Sequence, residues 1–185
     1  LNGYMNTLSR AHSRGQPASF DGRGQSYGRQ SGDEAEPTMM WCSNYGGDLY
    51  RYQTYSKAPV MLSMLGGVVG DEAVQKAISS YTKAWAFKHP SPWDFAFFMS
   101  NALERDLGWF WYYWLFTTER VDGSIAKVDT SGTLAYAHTV VTVRQDGQMP
   151  SPVVLKVAFA ADGPAPKAMP NARMLEDGTA VVTWP

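Results

Sequence analysis

Three tyrosines, Tyr50, Tyr52 and Tyr55, crowd the stretch LYRYQTYSKAPVML at residues 49–62, among Arg51, Gln53, Thr54, Ser56 and Lys57. Aromatic rings ordinarily fill a core, yet these neighbours suit a surface or a polar cleft. A phenol with a pKa of about 10 stays protonated at neutral pH and can donate a hydrogen bond to a developing negative charge. The rest of the catalytic inventory is thin. The histidines are His12, His89 and His138, and none belongs to a His-Glu-x-x-His pair that would aim two imidazoles at one metal. His89, in FKHPSPWD, stands at a helix exit, where a cation suits the C-terminal dipole, and His138 alternates within a strand as a surface residue. There is no Gly-x-Ser-x-Gly elbow and no phosphate-cradling loop, and Cys42 has no partner to make it a nucleophile. Glu104-Arg105-Asp106 reads as a helix junction with solvated charges.

A chain of 185 residues makes one compact domain or two small ones, and burying roughly 70% of its unfolded surface gives it a real core. With 16 basic against 17 acidic side chains and a formal charge of -1, no polyanion-binding surface is expected, and so no nucleic-acid partner. The single cysteine makes neither an internal disulfide nor a multi-thiolate zinc site. The most apolar run, WFWYYWLF at 109–116, falls far short of the roughly 18 residues of a membrane helix, so no span is expected. The chain opens on Leu1 without an initiator methionine, which leads us to expect a piece of a longer polypeptide.

The elements that must position these residues follow from periodicity. LNGYMNTLSRAH at 1–12 has helical spacing. Residues 14–38 collect Gly, Ser, Gln and Arg and read as a long loop, either the rim of a cleft or a disordered connection. Pro59 fits only a first turn, which places a helix start near Ser56, with Met61, Leu62, Leu65, Val68 and Val69 on its inner face. A second helix opens with Asp71 as cap and aligns Val74, Ala77, Ile78, Tyr81 and Trp85. SPWD then gives Ser91 as N-cap, Pro92 at the first helical position and Asp94 to close a capping box, with Phe95, Phe98, Met99 and Ala102 buried. A further helix from about Asp106 carries the aromatic run. After Gly123 the period becomes 2, with strands at 134–145, 153–160 and 179–184 between turns at Asp146-Gly147, Asp162-Gly163 and Asp177-Gly178. The expected fold class is α+β: a helical subdomain of about four to five helices over 1–120, then an incomplete antiparallel β-sandwich over 121–185.

Four signatures stand in order between Tyr55 and Phe116. They are Tyr55-Ser56-Lys57-Ala58, Gly70-Asp71-Glu72, His89-Pro90-Ser91-Pro92-Trp93-Asp94-Phe95 and Asp106-Leu107-Gly108-Trp109-Phe110-Trp111. Together they resemble the segment that follows the zinc site in the aminopeptidase N family of gluzincin metallopeptidases. The β-rich tail resembles the small sandwich after that catalytic domain. The resemblance implies a zinc-dependent enzyme that removes N-terminal residues from peptide substrates, and it assigns Tyr55 the catalytic role of stabilising the oxyanion. A neutral donor aimed at the former carbonyl oxygen suits that task. Tyr50 and Tyr52 remain packing residues.

The chain departs from the family pattern at Ala58, which replaces a glycine and precedes Pro59. In the family the His-Glu-x-x-His, the third glutamate ligand and the substrate-amine element all precede this segment. Zinc is therefore expected in the full-length protein, with its ligands on the missing N-terminal half of the same polypeptide, and this chain alone is expected to be inactive. The alternative is a non-catalytic binding or scaffold module derived from the same fold.

Overall fold

The structure, a computed structural model, describes residues 1–33, 36–40, 42–44, 46–133, 138–151, 153–157, 172–174 and 180–184. The chain divides into two compact units, Leu1–Glu119 and Arg120–Pro185. The fold class is α+β, with helices in the first unit and small, incomplete antiparallel sheets in the second.

In the first unit the helices are α1 (Asn2–Ser13), α2 (Asp21–Gly28), α3 (Leu49–Tyr52), α4 (Ala58–Val69), α5 (Asp71–Trp85), α6 (Pro92–Ala102) and α7 (Gly108–Phe116). The expected stripe of α5 is buried through Val74, Ala77, Ile78 and Tyr81, whereas Trp85 lies at the margin. The cap of α5 is Gly70 rather than Asp71: at φ 97° a glycine turns the corner from α4 without the steric cost that a Cβ would bring. Asp71 opens the helix instead, where its charge suits the N-terminal dipole. The start of α7 is tied by Asp106, whose Oδ1 accepts from the Gly108 amide at 3.0 Å.

Aromatic rings pack among the aliphatic side chains of the first unit's core, with Tyr4, Tyr52, Tyr81, Phe110, Trp111 and Trp114 all buried. Tyr81 meets Phe95 edge-on at 5.0 Å between ring centroids and Phe98 at 5.5 Å, and Trp111 Nε1 donates to Ser100 Oγ at 2.9 Å. Burial pushes the Tyr81 phenol up, with a smaller push from the Asp94 charge. Met99 and Ala96 are the buried positions of α6, while Phe95 and Phe98 are half-buried and Ala102 faces out.

Segment 14–38 is not the single long loop that its polar composition suggests. It contains α2, which two rings hold in place: Phe20 stacks on Tyr4 at 5.1 Å, and Tyr27 lies parallel to Tyr52 at 6.4 Å and against Trp114 at 5.4 Å. Long-range contacts of this kind override a weak local propensity.

Ser91 and Asp94 form the reciprocal cap read from the sequence. The Ser91 Oγ accepts from the Asp94 amide at 3.3 Å, and Asp94 Oδ2 accepts from the Ser91 amide at 2.8 Å. A further bond from the Ser91 hydroxyl, at 2.6 Å, and then the backbone bond hold the Asp94 carboxyl below the usual carboxylate range. A carboxyl depressed in the folded state contributes stability that is present above its unfolded pKa and lost as pH falls through the folded value. Ser91→Ala should cost about 1 kcal/mol in urea titration at pH 7. It should also blunt the acid-side loss of stability expected of the wild-type chain below about pH 4. Equal acid profiles for the two proteins would show that the cap does not couple to Asp94.

In the second unit β1 (Gly123–Ser131) pairs antiparallel with β2 (His138–Gln145), and a second sheet has the order β3 (Val153–Val157), β5 (Ala180–Trp184), β4 (Ala172–Met174). The parts of the expected strands at 134–137, 158–160 and 179, and the turns at Asp162-Gly163 and Asp177-Gly178, lie outside the described residues. The Asp146-Gly147 turn folds back on Asp122, whose carbonyl accepts from the Asp146 and Gly147 amides at 2.7 and 2.9 Å. A Cβ at Gly147 would run into the Arg120 carbonyl and the Asp122 backbone, so that position needs glycine.

Candidate functional site

The site begins with a conflict between a helix and a proline. Residues 49–69 have helical character from end to end, but Pro59 lacks the N–H that an α-helix would direct at the carbonyl of Tyr55. The chain resolves this with a π-helical turn at Gln53–Lys57, closed by the Ala58 N–H donating to the Gln53 carbonyl. The helix start expected near Ser56 is therefore not observed. Helix α3 enters from Leu49, and Tyr55 occupies the middle of a wide turn inside one helical run. Such turns are rare and concentrate at functional sites.

The turn is pinned on three sides. Gln53, with none of its surface exposed, accepts from Thr38 Oγ1 at 2.6 Å and donates from Nε2 to the Glu36 carbonyl at 2.9 Å. Lys57, only 1% exposed, directs Nζ at the Thr117 carbonyl at 3.4 Å, just past the end of α7. The third support is Arg23 of α2, whose Nη1 donates to the Tyr55 carbonyl. Helix α1 packs close by: a Cβ at Gly3 would lie 2.8 Å from Cγ of Pro59, so glycine is the residue that fits.

The three tyrosines meet three fates. Tyr52 is a core residue, 5% exposed and stacked on Tyr27. Tyr50 is exposed at 45% on the outer side of α3. Tyr55 is 50% exposed on a turn whose flanking residues Gln53 and Lys57 are buried, so its phenol stands outward from a fixed base. Chemically, both Tyr50 and Tyr55 offer accessible phenol donors, and of the two Tyr55 is the one that stands on the pinned turn. Gln53 and Lys57, expected at a surface or in a polar cleft, are instead buried, and the role of Arg23 was not expected from the sequence. The available signal was Pro59 itself, because a proline four residues after Tyr55 means that the Tyr55 carbonyl must find another donor.

Two cavities open elsewhere in the first unit, and Tyr55 lines neither. One of about 480 Å³ lies among Tyr4, Phe20, Asp21, Ser63, Asp71 and Gln75. Burial raises the pKa of the Tyr4 phenol there, as does the nearby Asp71 charge. The other, about 340 Å³, is bordered by Val69, Lys76, Ser80, Leu103 and Arg105.

His12 and His89, in the first unit, and His138, in the second, are all exposed. Among the described residues no three His, Cys, Asp or Glu side chains converge on a position that could hold a metal, so these residues do not fit a zinc site. No described helix is long and apolar enough to cross a membrane. Comparison with protein-family models, with curated proteins and with solved structures finds no match.

Proposed function

We propose that this chain is the segment following the zinc site in a zinc aminopeptidase of the aminopeptidase N family, with Tyr55 as the donor to the oxyanion formed at the scissile carbonyl. The observation that carries the reading is the placement of Tyr55: half-exposed on a π-turn whose neighbours are buried and hydrogen-bonded. A preorganised donor costs no reorganisation when charge develops in front of it, which is the condition for electrostatic stabilisation of a tetrahedral intermediate. In such an enzyme zinc supplies the activated water. The described residues hold no ligand set for it, and no step assigned to this chain runs through the metal.

The rival reading is a non-catalytic binding or scaffold module. One observation favours it: Tyr55 lines neither of the two cavities described above. The enzyme reading needs the cleft wall to come from the zinc-binding half of the same polypeptide.

The deciding experiment is an assay of the natural polypeptide that contains this chain. It should release the first residue of a peptide with a free N-terminus, spare the N-acetylated counterpart, and lose activity to a chelator. No release from either peptide by the folded protein, whether or not it holds zinc, would favour a binding or scaffold module. Release from both peptides would rule out an aminopeptidase.

A further inference from the structure

We propose that Arg23 is the positioning residue of the candidate site. Its guanidinium holds the Tyr55 carbonyl that Pro59 leaves without its helical donor, and so fixes the direction in which the phenol points. This inference rests on reading Tyr55 as the oxyanion donor.

Arg23 lies in the first turn of α2, a helix anchored at both ends by the stacking of Phe20 on Tyr4 and of Tyr27 on Tyr52. From there its two nitrogens reach two elements. Nε donates to Thr7 Oγ1 at 3.2 Å, and Nη1 donates to the Tyr55 carbonyl. The Thr7 hydroxyl in turn donates to the Gly3 carbonyl at 3.1 Å, one helical turn earlier on α1. A planar guanidinium suits this double task, whereas an ammonium is a single point charge.

The geometry transmits directly to the side chain. The carbonyl of Tyr55 belongs to a rigid peptide plane that also contains its Cα. Holding that plane sets ψ of Tyr55 and, with it, the Cα–Cβ vector. Inside a regular α-helix the i+4 amide would do this, but Pro59 cannot. The donor has therefore passed from the helix itself to a side chain 32 residues earlier in sequence. That substitution makes the aim of the phenol sensitive to α2.

The test begins with this chain, labelled with 3-fluorotyrosine and observed by fluorine NMR, the Tyr55 signal being assigned by its absence in Tyr55→Phe. Arg23→Ala should shift and broaden that signal while the Tyr81 signal in the distant core stays put. Methylguanidinium added to Arg23→Ala should restore it, and Arg23→Lys, which keeps one donor, should recover part of the shift. Arg23→Met, which retains the apolar stem, serves if the alanine variant folds poorly. An unmoved Tyr55 signal in a folded Arg23 variant overturns the proposal.

In the natural polypeptide, Arg23→Ala should lower kcat about tenfold or more through misalignment, with KM within about twofold of wild type. In a Tyr55→Phe background it should cost nothing further. A full additional loss in that background overturns the positioning role while leaving the oxyanion role intact. If Tyr55→Phe alone is silent, the oxyanion reading fails instead, and the fluorine spectrum still decides whether Arg23 aims the phenol.

Discussion

Tyr55→Phe is expected to lower turnover of the natural polypeptide by roughly a hundred- to a thousand-fold, the usual cost of about 2.7 to 4 kcal/mol for one oxyanion donor. The substitution removes one hydroxyl and keeps the ring. Because the side chain is half-exposed and Gln53 and Lys57 anchor the turn, no cavity opens and no buried partner is orphaned. Circular dichroism and zinc content should therefore match wild type. A donor engaged only in the transition state lowers kcat with little change in KM, whereas a substrate-binding group would raise KM. Tyr50→Phe, five residues from the middle of the turn and similarly accessible, is the matched control and should stay within about twofold of wild type. Equal activity of the two variants would remove Tyr55 from the chemistry.

Phe110→Ala should produce the largest change in stability, about 3 to 5 kcal/mol by urea denaturation of the chain. The ring is 1% exposed and sits among Trp109, Trp111 and Trp114, at centroid separations of 5.6, 5.2 and 5.9 Å. Neighbours on the same rigid helix cannot collapse into the space that a deleted ring leaves. Against a typical folding free energy of about 5 to 15 kcal/mol, such a loss brings the first unit close to unfolding. Phe97→Ala, at a position 65% exposed, should cost no more than about 0.5 kcal/mol. Similar costs at both positions would mean that α6 and α7 do not bury the faces assigned to them.

The contrast between Ser91 and Arg23 shows what the sequence made legible. The cap at Ser91 is a contract among four consecutive residues, all of whose terms are local, and the structure meets it bond for bond. The stripe of α5 was equally readable because its buried residues repeat at helical spacing. Helix α2 escaped notice because its stability comes from partners far along the chain, Tyr4, Tyr52 and Trp114, and not from its own Gly- and Ser-rich residues. Strand β1 escaped for a different reason. The register shifts between Ile125 and Lys127, so Ile125 and Val128, three apart, pair with Val143 and Val141, which are two apart. A bulge of this kind breaks the period of 2 by which a strand is recognised. At the candidate site the motif points to Tyr55, but the setting of that residue differs from the one expected. A proline in a helical pattern was assigned to a first turn, while the chain used a wider turn and a remote guanidinium to accommodate it.

The π-turn is also one residue wide in the genetic sense. Each residue of an α-helix advances the chain by about 100°, so removing one between Gln53 and Lys57 would bring α3 and α4 back into phase, with the proline now inside an α-helical run that lacks one hydrogen bond. The same loss of three bases would swing Tyr55 about a quarter-turn away from its present heading. A single-residue deletion in this turn is enough to redirect the phenol without changing any residue of α3 or α4.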